Sequence, residues 1–349
     1  MPLFVGGGLI ALVLVGLLIF LGVKALGGDD EPTSNPTTTT QPTGDPSTEP
    51  TGEPTGEPTG EPTGEPSGEP STPAGGELGN ATGQAKSATD KLLADGYQCS
   101  DLFNGAQGAH RGCFKYKDAT SAEAIFQFQP DGAIIGVLLR SEDSDNINNA
   151  KVTFDAALQA IGNDTFGGSE VVKIQDAVKT GQKTGKIGST WGEFQLRNNG
   201  DDLQLSGGKS GSDSYDLPRK QFTTTEAQMY AALKPKQYTC TSSCRKTVGK
   251  YGSQSIYGYG GTSGGIRSFE MRASGEPADV KAAIPAVIAD GFAAVQGPDV
   301  AALKAYVEAH NDGKSYASYV SGWRVEITGN NDDSYRSQTI SIRYESFYV

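Results

Sequence analysis

Apolar residues change their spacing several times along the chain, and each change marks an element. Leu3 to Val23 is an unbroken run of 21 residues with no charged side chain. At 1.5 Å per residue such a run spans about 30 Å of hydrocarbon, so it predicts a transmembrane anchor over residues 1–27. A cleaved signal peptide is the competing reading, with Val23-Lys24-Ala25 as the cleavage pattern, but its apolar region is usually only about 7–15 residues long. From residue 28 to 85 apolar side chains nearly vanish, and Thr-Gly-Glu-Pro recurs four times between Thr51 and Pro66. A segment that buries so little cannot offset the entropy of ordering its backbone, which predicts a disordered, extended stalk.

Beyond the stalk the pattern occurs twice. Tyr97-Gln98-Cys99 is matched by Tyr238-Thr239-Cys240, and a second cysteine follows each, Cys113 or Cys244. Phe126 and Phe128 lie 13 and 15 residues after Cys113, as Tyr257 and Tyr259 do after Cys244; Trp191 and Trp323 follow at 78 and 79. Each tryptophan precedes an Asn-Asn pair by seven residues. These offsets imply an internal duplication, with modules at 86–210 and 224–349 and a linker at 211–223.

Within each module, short alternating stretches predict strands around the cysteines, followed by a hairpin (Ala124 to Gln129 with Ile134 to Arg140; Ser255 to Tyr259 with Ile266 to Arg272). Helical spacing follows over Val152 to Ile161 and Val280 to Val295, then Glu170 to Val178 and Asp299 to Ala309, with Gly162 and Gly297 as helix exits. A last hairpin begins at the tryptophan. Strands at both ends with helices between predict an α+β fold, an antiparallel sheet with helices on one face, made twice in tandem.

Charge adds little about partners, because the stalk from Asp29 to Glu77 holds eleven acidic residues and no basic ones, nearly all of the formal charge of −12. No basic block tracks phosphates, which argues against nucleic acid. The stalk composition and the cysteines orient the chain as a single-pass protein of the cell membrane, with the ectodomain outside. The one basic residue near the helix, Lys24, does not orient it.

The four cysteines are local, equivalently placed and even in number, which predicts disulfides Cys99–Cys113 and Cys240–Cys244 rather than zinc ligation. The only histidines, His110 and His310, fall at non-equivalent places in the repeat and are expected in surface loops. Gly261-Thr262-Ser263-Gly264-Gly265 fits a nucleophile-elbow pattern but lies between two strands, so it reads as a turn. The Asn/Asp clusters at 198–202 and 330–333 offer oxygens for calcium, though the same residues favour tight turns. No metal, cofactor or catalytic set emerges. Tyr257, Tyr259, Trp191 and Trp323 are the candidate ligand-binding residues, since aromatic side chains supply rigid contact area and 11 of the 14 tyrosines lie from Tyr230 onward. The expected function is a membrane-anchored binding ectodomain for a cell-wall polymer or a protein ligand. An extracellular carbohydrate-active hydrolase using Asp/Glu pairs, and a purely structural spacer, are the alternatives.

Overall fold

The computed structural model describes residues 76–213, 215–260, 264–331 and 336–347. The expected anchor and the stalk repeats lie outside the described residues, among which no helix is long and apolar enough to cross a membrane.

The first half opens with α1 (Gly83–Ala94), whose Ala85, Ala88, Thr89 and Leu92 form one buried stripe. Four strands follow as an antiparallel meander: β1 (Gln98–Gly105), β2 (Gly108–Lys117), β3 (Thr120–Phe128) and β4 (Ile134–Asp143). The chain leaves the sheet through α2 (Ile147–Thr165) and α3 (Gly168–Lys179). It returns as β5 (Thr184–Gly188), β6 (Gly192–Asn198) and β7 (Asp202–Lys209), and β7 pairs with β4. The sheet order is therefore β1-β2-β3-β4-β7-β6-β5.

The second half begins with α4 (Glu226–Leu233), held at its start by a capping box in which Thr225 and Gln228 satisfy each other's backbone N–H groups. It continues through β8 (Thr239–Cys240), β9 (Cys244–Val248), β10 (Gly252–Tyr259), β11 (Ser268–Gly275), α5 (Pro277–Ala294), α6 (Val300–Ala309), β12 (Tyr316–Val320), β13 (Trp323–Asn331) and β14 (Arg336–Arg343). Its sheet order, β8-β9-β10-β11-β14-β13-β12, repeats the first strand for strand. The fold is α+β with two antiparallel seven-stranded sheets, consistent with a duplicated module.

In each half the helices cover one face of the sheet. Phe126, Leu139 and Leu205 meet Phe154, Leu158 and Ile161 in the first core; Ile256, Met271 and Ile340 meet Ile284, Val287 and Ile288 in the second. Both disulfides form, each joining directly opposed residues of neighbouring strands.

Several expectations need correction. Packed chain begins at least at Gly76, ahead of the boundary expected at residue 86: Asp101 N–H donates to the Glu77 carbonyl at 2.8 Å, and Ala85 is fully buried. The segment expected as a linker contributes Leu217 and Phe222 to cores. Gly162 is not a helix exit but lies inside α2, where a Cβ would sit 2.5 Å from the Phe166 ring and 2.7 Å from Val171. β5 and β12 were not expected from the pattern. Phe126 and Tyr257 are also not structural equivalents. Cys113 lies opposite Ala124, whereas Cys244 lies opposite Ile256, so Tyr257 corresponds to Ile125 and Phe126 to Gly258. The turn between β9 and β10 has one residue more than that between β2 and β3, and a shift of one residue moves a side chain to the opposite face of a sheet.

Candidate functional site

The two halves meet through the sheet faces that carry no helices, and the overlap is offset. On the first sheet the covered part is β1 to β4, where Leu102, Phe114, Ile125 and Leu138 pack against Ala317 and Tyr319 of β12, Leu217 and Phe347. On the second sheet the covered part is β12 and the adjoining Arg324 of β13. The rest of each outer face stays open.

A buried polar network crosses this junction. Arg324 pairs with Glu345 at 3.2 Å and with Glu123 of the first sheet in a closer ion pair. The Tyr319 hydroxyl donates to Glu345 in a short hydrogen bond and lies 3.1 Å from Nε2 of His110, whose Nδ1 is 3.2 Å from the Gln127 amide nitrogen. With Gln127 donating to Nδ1, the neutral imidazole keeps its proton on Nε2 and satisfies both neighbours. Burial pushes the His110 pKa down to about 4, and Glu345 is held down to about 2 against its own burial, chiefly by Arg324. His110 is thus no loop histidine: it sits in β2, fully buried. His310 is buried as well, at the end of α6, with Nδ1 2.8 Å from the Tyr306 carbonyl and its ring 4.2 Å from that of Tyr306. Isolated histidines stay inside a fold when neighbouring groups meet their hydrogen bonds.

Of the four aromatic candidates, the tryptophans occupy cores. Trp191 is 8% exposed and stacks on Phe194 at 5.4 Å; Trp323 is 1% exposed, stacks on Phe222 at 4.7 Å and donates to Asp299 at 2.9 Å. Trp323 opens β13 whereas Trp191 precedes β6 by one residue, so the two are not structural equivalents: register places Trp323 where Gly192 stands. Tyr257 and Tyr259 reach solvent, at 38% and 55% exposure. They lie two residues apart on the outer face of β10, on the stretch that runs past the last residue paired with β9, and so stand at the edge of the sheet.

Register places the rest of this face. Tyr259 faces Ser268, then Arg343; Tyr257 faces Glu270, then Ser341; Ser255 lies between Arg245 and Arg272. A cleft of about 410 Å³ at the β10 end is lined by Tyr259, Arg267, Ser268, Arg343, Tyr344 and Ser346 among others. Arg343 pairs with Glu326 at 2.9 Å, which itself approaches Arg324 at 3.7 Å, so the open face runs continuously into the buried network. Among the described residues no carboxylate pairs with Arg245, Arg267 or Arg272. The face corresponds, position by position, to the docking surface of the first sheet: Arg245 stands where Phe114 does, Tyr257 where Ile125 does and Glu270 where Leu138 does.

A second cleft, about 1140 Å³, is lined by Asp118, Glu142, Asp143, Asp145, Asp201 and Asp202 among others. Glu142 and Asp202 are directly opposed across β4 and β7. Asp143 holds a loop, accepting from the backbone of Asp145 and Asn146 at 2.9 and 2.7 Å; hydrogen bonds, that from Thr120 first, keep its pKa at about 2. Among the described residues no group of three ligands fits a metal ion. At the 198–202 cluster, Asn198 Oδ1 accepts from Gly200 N–H at 3.4 Å and Asn199 N–H donates to the Asp202 carbonyl at 2.9 Å, a turn. The side chains of the 330–333 cluster and residues 261–263 lie outside what is described.

Comparison with protein families, with curated proteins and with solved structures finds no match to this chain.

Proposed function

We propose that the chain is a membrane-anchored cell-surface protein whose ectodomain is a non-catalytic binding module, with the outer face of the second sheet around Tyr257 and Tyr259 as its ligand surface. One observation carries the reading. The same face that docks a neighbour in the first half is open in the second, and its apolar positions there hold tyrosine, arginine and glutamate. Exposed tyrosines at a sheet edge, beside guanidinium and hydroxyl groups, suit recognition of a polar ligand.

The test uses the full chain in detergent or on intact cells, with isolated envelope material of the source cells as ligand. Tyr257→Ala with Tyr259→Ala is expected to weaken capture at least tenfold while the melting temperature stays within about 2 °C, because neither ring belongs to a core. Equal loss of capture and of melting temperature would return these rings to a structural role. The hydrolase reading has one observation in its favour, the opposed Glu142 and Asp202 in the acidic cleft. Turnover abolished by Glu142→Gln or Asp202→Asn, with binding intact, would establish it instead.

A further inference from the structure

We infer that the cleft between Tyr259 and Tyr344 takes a carboxylate-bearing sugar, so that the ligand of this face is an acidic polysaccharide. The inference rests on the binding reading above and narrows it to a chemical class.

Charge is the first argument. The open face and its cleft carry Arg245, Arg267, Arg272 and Arg343 against Glu270 and Glu326, with Glu226 beside the cleft accepting from Gly260 N–H at 2.9 Å, a modest excess of positive charge. Glu326 is already engaged by Arg343, and no carboxylate among the described residues meets Arg267 beside the same cleft. A guanidinium binds carboxylate through two parallel hydrogen bonds, and its planar fork fixes orientation as well as charge.

Shape and texture supply the second. Sheet geometry spaces Tyr257 and Tyr259 about 7 Å apart, ring beside ring along one strand. Around them stand short hydroxyls, Ser255, Ser268, Thr339 and Ser341. A sugar ring presents apolar C–H groups on its faces, suited to aromatic stacking, and hydroxyls on its rim, suited to serine, glutamate and arginine. An acidic peptide would use the arginines but leave the tyrosine row without a matching flat surface. A protein docking as β12 docks on the first sheet would need the apolar patch that Phe114, Ile125 and Leu138 provide there and that Arg245, Tyr257 and Glu270 replace here. The cleft, about 410 Å³, lies at the small end of ligand pockets.

The experiment measures binding of the full chain in detergent to polygalacturonate, to its methyl-esterified form and to poly-glutamate. Polygalacturonate is expected to bind at least tenfold tighter than either comparator, with affinity falling as salt rises from about 0.05 to 0.5 M. Arg267→Glu is expected to lower that affinity at least tenfold without moving the melting temperature, and Tyr259→Phe to keep most of it while Tyr259→Ala does not. Equal binding of the esterified polymer, equal binding of poly-glutamate, or indifference to Arg267→Glu would each overturn the inference. If envelope material is still captured through Tyr257 and Tyr259 while polygalacturonate is ignored, the binding reading stands and only the sugar class falls. If neither binds, both fall.

Discussion

At the scale of residues, His110 shows how a side chain expected in a surface loop can lie fully buried in a strand. Sequence spacing reveals that the histidine has no partner nearby in the chain, but its partners come from 17 and 209 residues away, Gln127 and Tyr319. The same burial makes it a source of pH dependence. The unfolded chain takes up a proton near pH 6.5, which the folded chain refuses until about pH 4, so stability is complete above 6.5 and declines as pH falls through this window. The loss amounts to roughly 3 kcal/mol. Glu345 adds to it lower down, since its carboxylate is held at about 2 against an ordinary 4.5 and its contribution is lost between those values. Thermal melts from pH 7.5 to 4.5 are expected to show a fall of several degrees beginning near pH 6.5; a flat profile would mean that His110 titrates in the folded chain as it does in water.

At the scale of elements, most of the architecture was legible. Helices, hairpins and disulfides stand in the expected order, because cysteine and tryptophan offsets tie the two halves together over more than a hundred residues. Two kinds of feature were not. β5 reads Thr-Gly-Lys-Ile-Gly, with a single large apolar side chain, and forms by pairing with β6 rather than by its own pattern. The offset of Phe126 and Tyr257 matched by count while the turns before them differed by one residue, a change that composition does not display. Gly162 illustrates the same limit: helix-ending glycines and close-packing glycines look alike in sequence. They differ in consequence. In an exposed helix Gly→Ala stabilises by up to about 1 kcal/mol. Here the added methyl meets Phe166 and Val171 at 2.5 and 2.7 Å, so Gly162→Ala is expected to destabilise by about 1–3 kcal/mol in chemical denaturation. A gain in stability would show that α2 and α3 can part without cost.

At the scale of the whole molecule, the junction between the halves decides whether they behave as one body. Arg324 stands between Glu123 and Glu345, each from a different part of the fold, and none of the three side chains is more than 10% exposed. Replacing it with Met leaves Glu345 buried without its counter-charge and Glu123 with only the more exposed Arg140 at 3.7 Å, and breaking a buried pair in this way typically costs about 3–5 kcal/mol. Calorimetry is expected to give one unfolding transition for the wild type, and for Arg324→Met a lowered transition that separates into two. Orientation is tested at this scale too: protease added to intact cells is expected to release the ectodomain by cutting within the stalk, and full protection would place it on the other side of the membrane.

The offset overlap of the two outer faces has a further consequence for assembly. Two like objects joined through unlike surfaces form a step that can be repeated, and a repeated step of this kind leads to a filament unless something ends it. Here the residues that would make the next step are missing. Where Arg324 reaches Glu123, the corresponding pair is Glu193 and Ser255; where Tyr319 fills the junction, the other copy has Gly188. Among the described residues the step is therefore made once, because the face that would receive the next copy carries Arg245, Tyr257 and Glu270 in place of Phe114, Ile125 and Leu138.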